Sequence, residues 1–414
     1  MANAAFSLTD AQNILKAVYL PAVQELLNNS TILLKTLEKE IQDTEGLSFN
    51  IALHTGRNEA SGVGRAENGT LPSAGKQQYA NAIVPSKYLY SRISLSGPVI
   101  AATKSNKGSF LRALDAEMKG VAKDTRRAFN RQLHGDGRDV LGFWVSTTDG
   151  THAIFDDGQG NAGADFFQSG GQTVDIIESD NATVRAAALT ATRGAVGATG
   201  RTVGLTTTGL AAGDYAVQAG TLGKQMLGIQ AVISDADPVL LAGGLHGITV
   251  ASQPDWAAQC VGTDATSAAG RVDLSFAQMQ QVLSAIGANS DGSETDIKLL
   301  LSSFQMRDMY VQLCTNERKV FNTMKLDGGF EAVSYNGKPL VPDVHCRHNR
   351  IYFIAPDSMA IFRLADLDWM QKDGNILYRL SGGDQDGYGA TLFVYQELGC
   401  KARNVNGLLR GLNE

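Results

Sequence analysis

Cysteine is scarce: four residues in 414, at positions 260, 314, 346 and 400, none in a CxxC pair. That excludes a disulfide framework and a thiolate zinc site, and it reads as reduced thiols of a cytosolically made chain. The opening MANAAFSLTDAQ has neither the basic start nor the apolar core of a signal peptide. Long apolar runs are missing too. The nearest, Met226 to Ala251, is interrupted by Asp235, Asp237 and Pro238, so no membrane span is expected. Basic excess is absent, since the net charge is −6, and this argues against a dedicated nucleic-acid binder. Proline is low at 9 while glycine is high at 45, with an ordinary apolar fraction of 43%, so the chain is not a disordered one. Its length predicts two or three domains with ample core.

Catalytic signatures are equally thin. No Walker A pattern, GxSxG elbow or HExxH occurs. Gly158, Gly160 and Gly163 spell GxGxxG but lack the strand-turn-helix setting that a dinucleotide needs. His345, Cys346 and His348 stand close together, yet without a second cluster and beside Arg347 they read as a surface turn. Asn28, Asn68 and Asn181 begin glycosylation sequons that carry no meaning without secretion. No catalytic residue, cofactor or metal is expected.

What is present is a long amphipathic helix from Ser109 to Leu133. Phe110, Leu114, Met118, Val121, Thr125 and Phe129 recur every three or four residues, with Ala128 beside them. Arg112, Lys119, Lys123, Arg126 and Arg127 fall on the opposite side. Ser109 is the expected N-cap and His134-Gly135-Asp136-Gly137 the stop, giving roughly 37 Å of helix. From Lys107 to Arg131 seven basic residues meet three acidic ones, a local +4 in an acidic chain.

Ahead of it, Leu47 to His54 alternates as a strand, and Gly56 to Gln78 holds five glycines among Arg57, Glu59, Arg65, Glu67 and Lys76. Such a loop cannot recover its ordering entropy alone. Tyr88 to Ser96 alternates polar and apolar residues and is expected to be the return limb. Further upstream, Thr9 to Asp43 reads as short helical pieces, kinked at Pro21 and continuing from Ile32 to Ile41 with Leu33, Leu34 and Leu37 inward. Downstream, short strands cover Val140 to Ser146 and Ala153 to Phe155. A glycine-, alanine- and threonine-rich β unit follows, with strands near 183–187, 202–206 and 215–218. Helices are expected on Phe276, Met279, Val282, Leu283 and Ile286, opened by Ser275, and on Phe304, Met306, Met309, Tyr310 and Leu313 after a strand at 297–301. The C-terminal third turns to β, with a turn at Gly337-Lys338-Pro339, strands at 350–355, 359–363 and 392–397, and a turn at 384–389.

The glycine-rich charged loop between strand-like runs, leading into a long helix, resembles the tailed-phage major capsid proteins. The resemblance covers most of the chain and is strongest at 14–34, 54–137 and 337–373. It implies an α+β Hong Kong 97-type capsid fold. An N-terminal arm would take 1–48, an extended loop 49–104, a peripheral domain with the spine helix 105–157 and 330–390, and an axial domain 158–329 and 391–414 with a β-rich insertion near 172–222. The implied function is structural: a major capsid protein assembling into an icosahedral head of pentamers and hexamers, with no enzymatic role. Arg57, Glu59, Arg65, Glu67 and Lys76 become intersubunit candidates, and Arg112, Lys119, Lys123, Arg126 and Arg127 lumen-facing ones. Implied partners are further copies of the chain, a portal at one vertex, packaged double-stranded DNA held non-specifically, and a decoration protein as an optional addition. No long charged coiled coil precedes the arm-like helices, so a separate scaffolding protein is expected. The implied location is the virion, after assembly in the host bacterial cytoplasm, with no membrane. Some relatives cross-link subunits through a loop lysine and an asparagine; Lys76 with Asn404 or Asn406 would be the pair here. An encapsulin-like nanocompartment shares the fold and is the alternative; a cytosolic enzyme with an unfamiliar site is the more distant one.

Overall fold

In the strand Arg350–Ile354 there is no alternation, and all five side chains are buried. A strand of that kind needs a layer on each face. The computed structural model supplies both; it describes residues 31–37, 41–43, 48–102, 113–149, 152–157, 166–197, 200–205, 209–264, 270–290, 296–316, 323–325, 331–371, 375–379 and 386–413. The strand is third in a seven-stranded sheet ordered Gln259–Val261, Gly407–Arg410, Arg350–Ile354, Leu299–Ser302, Lys338–Pro342, Glu331–Tyr335, Thr323–Lys325. Leu300, Ile351, Phe353 and Leu409 pack with Met279, Val282, Ile286, Met306 and Tyr310 of the helices Phe276–Asn289 and Phe304–Asn316. Leu299, Leu301, Tyr352, Ile354 and Leu408 join a second core with Leu33, Leu37, Phe129, Leu133 and Trp256. Period-two geometry thus sends successive residues of one strand into two different cores.

The described residues divide into two compact units, one within 31–90, 125–368 and 392–413, the other within 91–124 and 369–391. In the larger unit a six-stranded closed barrel runs Tyr215–Gln218, Val140–Asp149, His152–Asp156, Gly200–Gly204, Val184–Gly197, Gln172–Ile177 and back to the first. Phe155, Phe167, Val174, Ile176 and Val203 fill its interior. The barrel therefore begins at Val140, upstream of the 172–222 insertion that the resemblance implies. In the smaller unit Tyr378–Arg379 pairs with Tyr388 and Gly389, the Tyr378 hydroxyl lies 2.7 Å from that of Thr391, and Gly97 N–H donates to Asp386 O at 2.9 Å.

Several expectations shift. The helix Ile32–Leu37 buries Leu33, Leu34 and Leu37 as expected, but Ile41, expected in the same helical run, belongs to the strand Ile41–Asp43, parallel to Met359–Trp369. Pairing to a β partner overrides the weak helical period of that stretch. Residues 1–30 lie outside the described residues, as do Ser109, Phe110 and the GxGxxG glycines. The long helix is described as Ala113–Leu133. Ser275 caps its helix through a capping box with Gln278. Phe304, expected inside, is 45% exposed under the Arg307 guanidinium. The hairpin turn is Asn336-Gly337, both at positive φ, so Lys338 and Pro339 already belong to the strand. Likewise Gly387-Tyr388-Gly389 opens the strand Gly387–Cys400 and does not form a turn.

Candidate assembly surfaces

The strand Ser48–Gly56 pairs with Gln78–Pro85, from Ser48 opposite Pro85 to Gly56 opposite Gln78. The return limb is therefore 78–85. Lys87–Ser96 forms a strand as expected, but it pairs with Gly387–Cys400 in another sheet. Alternation alone could not distinguish these partners, since both strands alternate. The hairpin root is anchored: Phe49 stacks on Phe362 at 4.2 Å, Ala82 and Val84 are buried, and Ile83 N–H donates to His246 O at 2.9 Å.

Past Gly56 and Gln78 the ladder ends, and every residue from 61 to 71 is exposed. Asn58 bridges the base of the loop, donating from Nδ2 to Gly75 O at 3.2 Å and accepting the Ala60 N–H at 2.8 Å. A Cβ at Gly75 would lie 2.1 Å from Asn58 Oδ1, so a larger residue there would have to displace the Asn58 side chain from its bridge. Arg57, Glu59, Arg65, Glu67 and Lys76 are all exposed. Leu71 and Tyr79 are 82% and 71% exposed. Apolar groups held out on a hairpin limb and its loop mark a surface made to be covered.

A second surface was hidden in the alternation of 88–96. Leu89 and Ile93 are buried, which leaves Tyr88 and Tyr90 exposed beside Tyr395. Tyr88 meets the Tyr395 ring edge-on at 5.1 Å, and the Tyr90 hydroxyl donates to that of Tyr395 at 3.3 Å. That bond, with some burial, pushes the Tyr90 phenol above its ordinary value. Phe393 extends the patch, 5.3 Å from Tyr395.

On the long helix Thr125 and Phe129 are buried, Met118 and Val121 half-buried, and Lys119 and Lys123 exposed. Among the described residues the expected contrast holds for Thr125 and Phe129 against Lys119 and Lys123. Arg126 and Arg127 are half-buried, Arg131 is held by Asp139 at 2.8 Å, and Arg112 lies outside the described residues.

At the C-terminal end of this helix sits a polar cluster that sequence reasoning missed. His345 and Cys346 are buried, which corrects the surface turn expected there. Asn130 organises the cluster. Its Oδ1 accepts Leu34 N–H at 3.0 Å, and its Nδ2 lies 2.9 Å from His345 Nδ1 and 3.2 Å from both Asp343 oxygens. His134 Nδ1 donates to Asn130 O at 2.7 Å, and Phe166 stacks on His345. Burial pushes the Asp343 carboxyl up, but His134 and His345 outweigh it and hold it well below the carboxylate range. No grouping that could hold a metal ion occurs among the described residues. The cluster ties the helix Ile32–Leu37, the long helix and the 343–345 loop together, and a structural clamp is the role its geometry supports. Asn406 is also fully buried, donating to Ser358 Oγ at 2.8 Å and accepting Ala355 N–H at 2.9 Å. It is therefore no exposed partner for Lys76.

No protein-family model and no curated protein matches the sequence. Solved structures do match, along nearly their whole length. The capsid asymmetric unit of cyanophage A-1(L) is 12% identical over 97% of this chain and 98% of its own, with a TM-score of 0.58. The SrpI encapsulin of Synechococcus elongatus PCC 7942 is 8% identical over 99% and 97%, at 0.53. A capsid chain of a native GTA particle is 11% identical over 100% of both, at 0.52. These likenesses establish the fold as the α+β Hong Kong 97-type capsid fold.

Proposed function

We propose that this chain is the major capsid protein of a tailed double-stranded DNA bacteriophage, building the icosahedral head as pentamers and hexamers. The observation that carries the reading is the 48–85 hairpin: a rooted ladder that ends in a loop with every residue from 61 to 71 exposed. On a fold otherwise matched end to end by shell proteins, the natural cover for that loop is a neighbouring copy. Arg57, Glu59, Arg65, Glu67 and Lys76 would set its register, and no residue is assigned a catalytic role. Deleting Ser61 to Ser73 is expected to leave a folded subunit or capsomer and to abolish closed shells in electron micrographs. Normal shells from the deletion would refute the reading.

The exposed Lys119 and Lys123, with Arg112, Arg126 and Arg127, are assigned to the lumen, facing the packaged genome or a scaffolding protein. Replacing Arg112, Lys119 and Lys123 by glutamine together should lower the DNA content or scaffold binding of otherwise normal shells. Unchanged values for both would make this face an ordinary solvated one. In the same reading a separate scaffolding protein sets the curvature, a portal fills one vertex, and assembly takes place in the host cytoplasm. The chain expressed alone should then give tubes, free capsomers or particles of mixed size. The encapsulin likeness keeps a nanocompartment shell as the second reading; a portal and terminase encoded nearby would decide for the phage head, a peroxidase or ferritin-like neighbour for the compartment.

A further inference from the structure

Three Asn-Gly pairs occur in the chain, at 68–69, 336–337 and 406–407, and the fold treats them differently. In such a pair the following residue has no side chain to hinder attack of its backbone nitrogen on the asparagine side chain. Asn406 is immobilised: its amide is hydrogen-bonded at both ends, and Gly407 lies in the sheet opposite Phe353. Asn336 is exposed, but it sits in a two-residue turn between Tyr335 and Lys338, which face each other in the ladder. Asn68 is in no ladder and its side-chain amide is not buried; the restraint on the pair is a single turn hydrogen bond, which must open before the Gly69 nitrogen can attack. Asn68 lies at φ 61 in a turn closed by Gly69 N–H to Ala66 O at 2.9 Å, within the exposed 61–71 run.

We infer that Asn68-Gly69 is a spontaneous deamidation site, a chemical timer on the loop assigned above to intersubunit contact. The Gly69 backbone nitrogen, losing its proton, attacks Asn68 Cγ. A ring N–Cγ bond forms, the Cγ–Nδ2 bond breaks, and Nδ2 leaves as ammonia with a proton. Water then opens the cyclic imide at either carbonyl, giving aspartate or isoaspartate. No electrons change hands, and water is the sole co-reactant. Each event puts a negative charge beside Glu67, and the isoaspartate route also lengthens the backbone. The chemistry stands on the exposed turn alone; the consequence for assembly rests on the loop reading.

The test is to incubate the purified full chain at mildly alkaline pH and follow the three sites by peptide mass mapping, with a denatured sample as the reference. In the folded protein, conversion at Asn68 should run at least about tenfold faster than at Asn336, the factor given by ~1.4 kcal/mol of opening free energy. Asn406 should stay intact. Gly69→Ala and Asn68→Gln should each suppress conversion in the loop and leave the rate at Asn336 unchanged. Equal rates at Asn68 and Asn336, or an Asn68 that persists when folded and converts only when denatured, would overturn the inference. Aged protein and Asn68→Asp are then compared in assembly. Impaired shells are the expected result. Normal shells despite full conversion would leave the timer chemistry intact and count against the loop as a contact.

Discussion

Glu397→Gln is expected to abolish a loss of stability of about 2 kcal/mol that the native protein suffers between pH 6.5 and pH 8. Glu397 is buried with no cation in contact. One carboxylate oxygen accepts the N–H groups of Leu227 and Leu398 at 2.7 and 2.9 Å, while the other has no partner. Burial pushes its carboxyl up to about 8, against the smaller opposing pulls of those N–H groups and Lys87. From its ordinary 4.5 up to 8 the unfolded chain releases this proton and the folded chain keeps it. Stability from this group is therefore complete below 4.5 and drains away as pH rises through 8, at about 1.4 kcal/mol per pH unit.

His246 acts in the opposite sense. Burial, helped by Arg403, lowers its imidazole to about 4, and its Nε2 accepts Cys400 N–H at 3.1 Å, a bond that protonation would break. Its contribution is complete above 6.5 and is lost as pH falls through 4. Between 4.5 and 6.5 the two slopes cancel, so the decline attributable to this pair appears only above 6.5. Denaturant melts of the native chain and of Glu397→Gln at pH 6.5 and 8 decide the matter. An equal decline in both proteins would show that Glu397 is already ionised in the fold.

Gly228→Ala should be strongly damaging although its backbone, at φ −130, is one that alanine can adopt. A Cβ there would lie 2.4 Å from Gln132 O, 2.5 Å from Leu133 O and 2.6 Å from Gly135 O, the carbonyls that end the long helix. Backbone cannot rotate out of the way as a side chain can, so the expected cost is about 3 kcal/mol or more. Low soluble yield or a sharply lowered melting temperature would show it. Gly120→Ala is the control. It lies inside the same helix with nothing within 4 Å of its Cβ position, and a gain of about 0.5–1 kcal/mol is expected. A Gly228→Ala protein as stable as the native chain would mean that the loop carrying Gly228 can move away freely.

Neither of these residues stands out in the sequence, and the reason is general. The helix at 276–289 is legible because Ser275 and Gln278 sit three apart before an apolar period, a local signal. The inward turn of Thr125 and Phe129 on the long helix is legible for the same reason. Gly228 is one glycine among 45, and its role depends on carbonyls almost a hundred positions away in the chain. Asn130, Asp343 and His345 are separated still further, so their cluster exists only once the sheet is built. His345 reads as a surface residue because polar residues normally are; the partners that satisfy it are invisible locally. The same limit explains the return limb. Strands at 78–85 and 87–96 both alternate, and pairing is decided by what each finds in three dimensions.

The strand order of the seven-stranded sheet also governs when the subunit can form. Gly407–Arg410 lies second in that sheet, between Gln259–Val261 and Arg350–Ile354, and pairs with both. The edge strand Gln259–Val261 has no other neighbour in the sheet and must wait while nearly 150 residues are made. During synthesis at about 5–20 residues per second, that interval lasts roughly 7–30 seconds. Meanwhile the apolar residues of 299–302 and 350–354 lack part of their cover, the kind of exposure that chaperones recognise. A ribosome stalled short of residue 407 would hold a barrel able to close and a sheet unable to. Folding is thereby tied to translation reaching residue 410, and a prematurely shortened chain cannot complete the seven-stranded sheet.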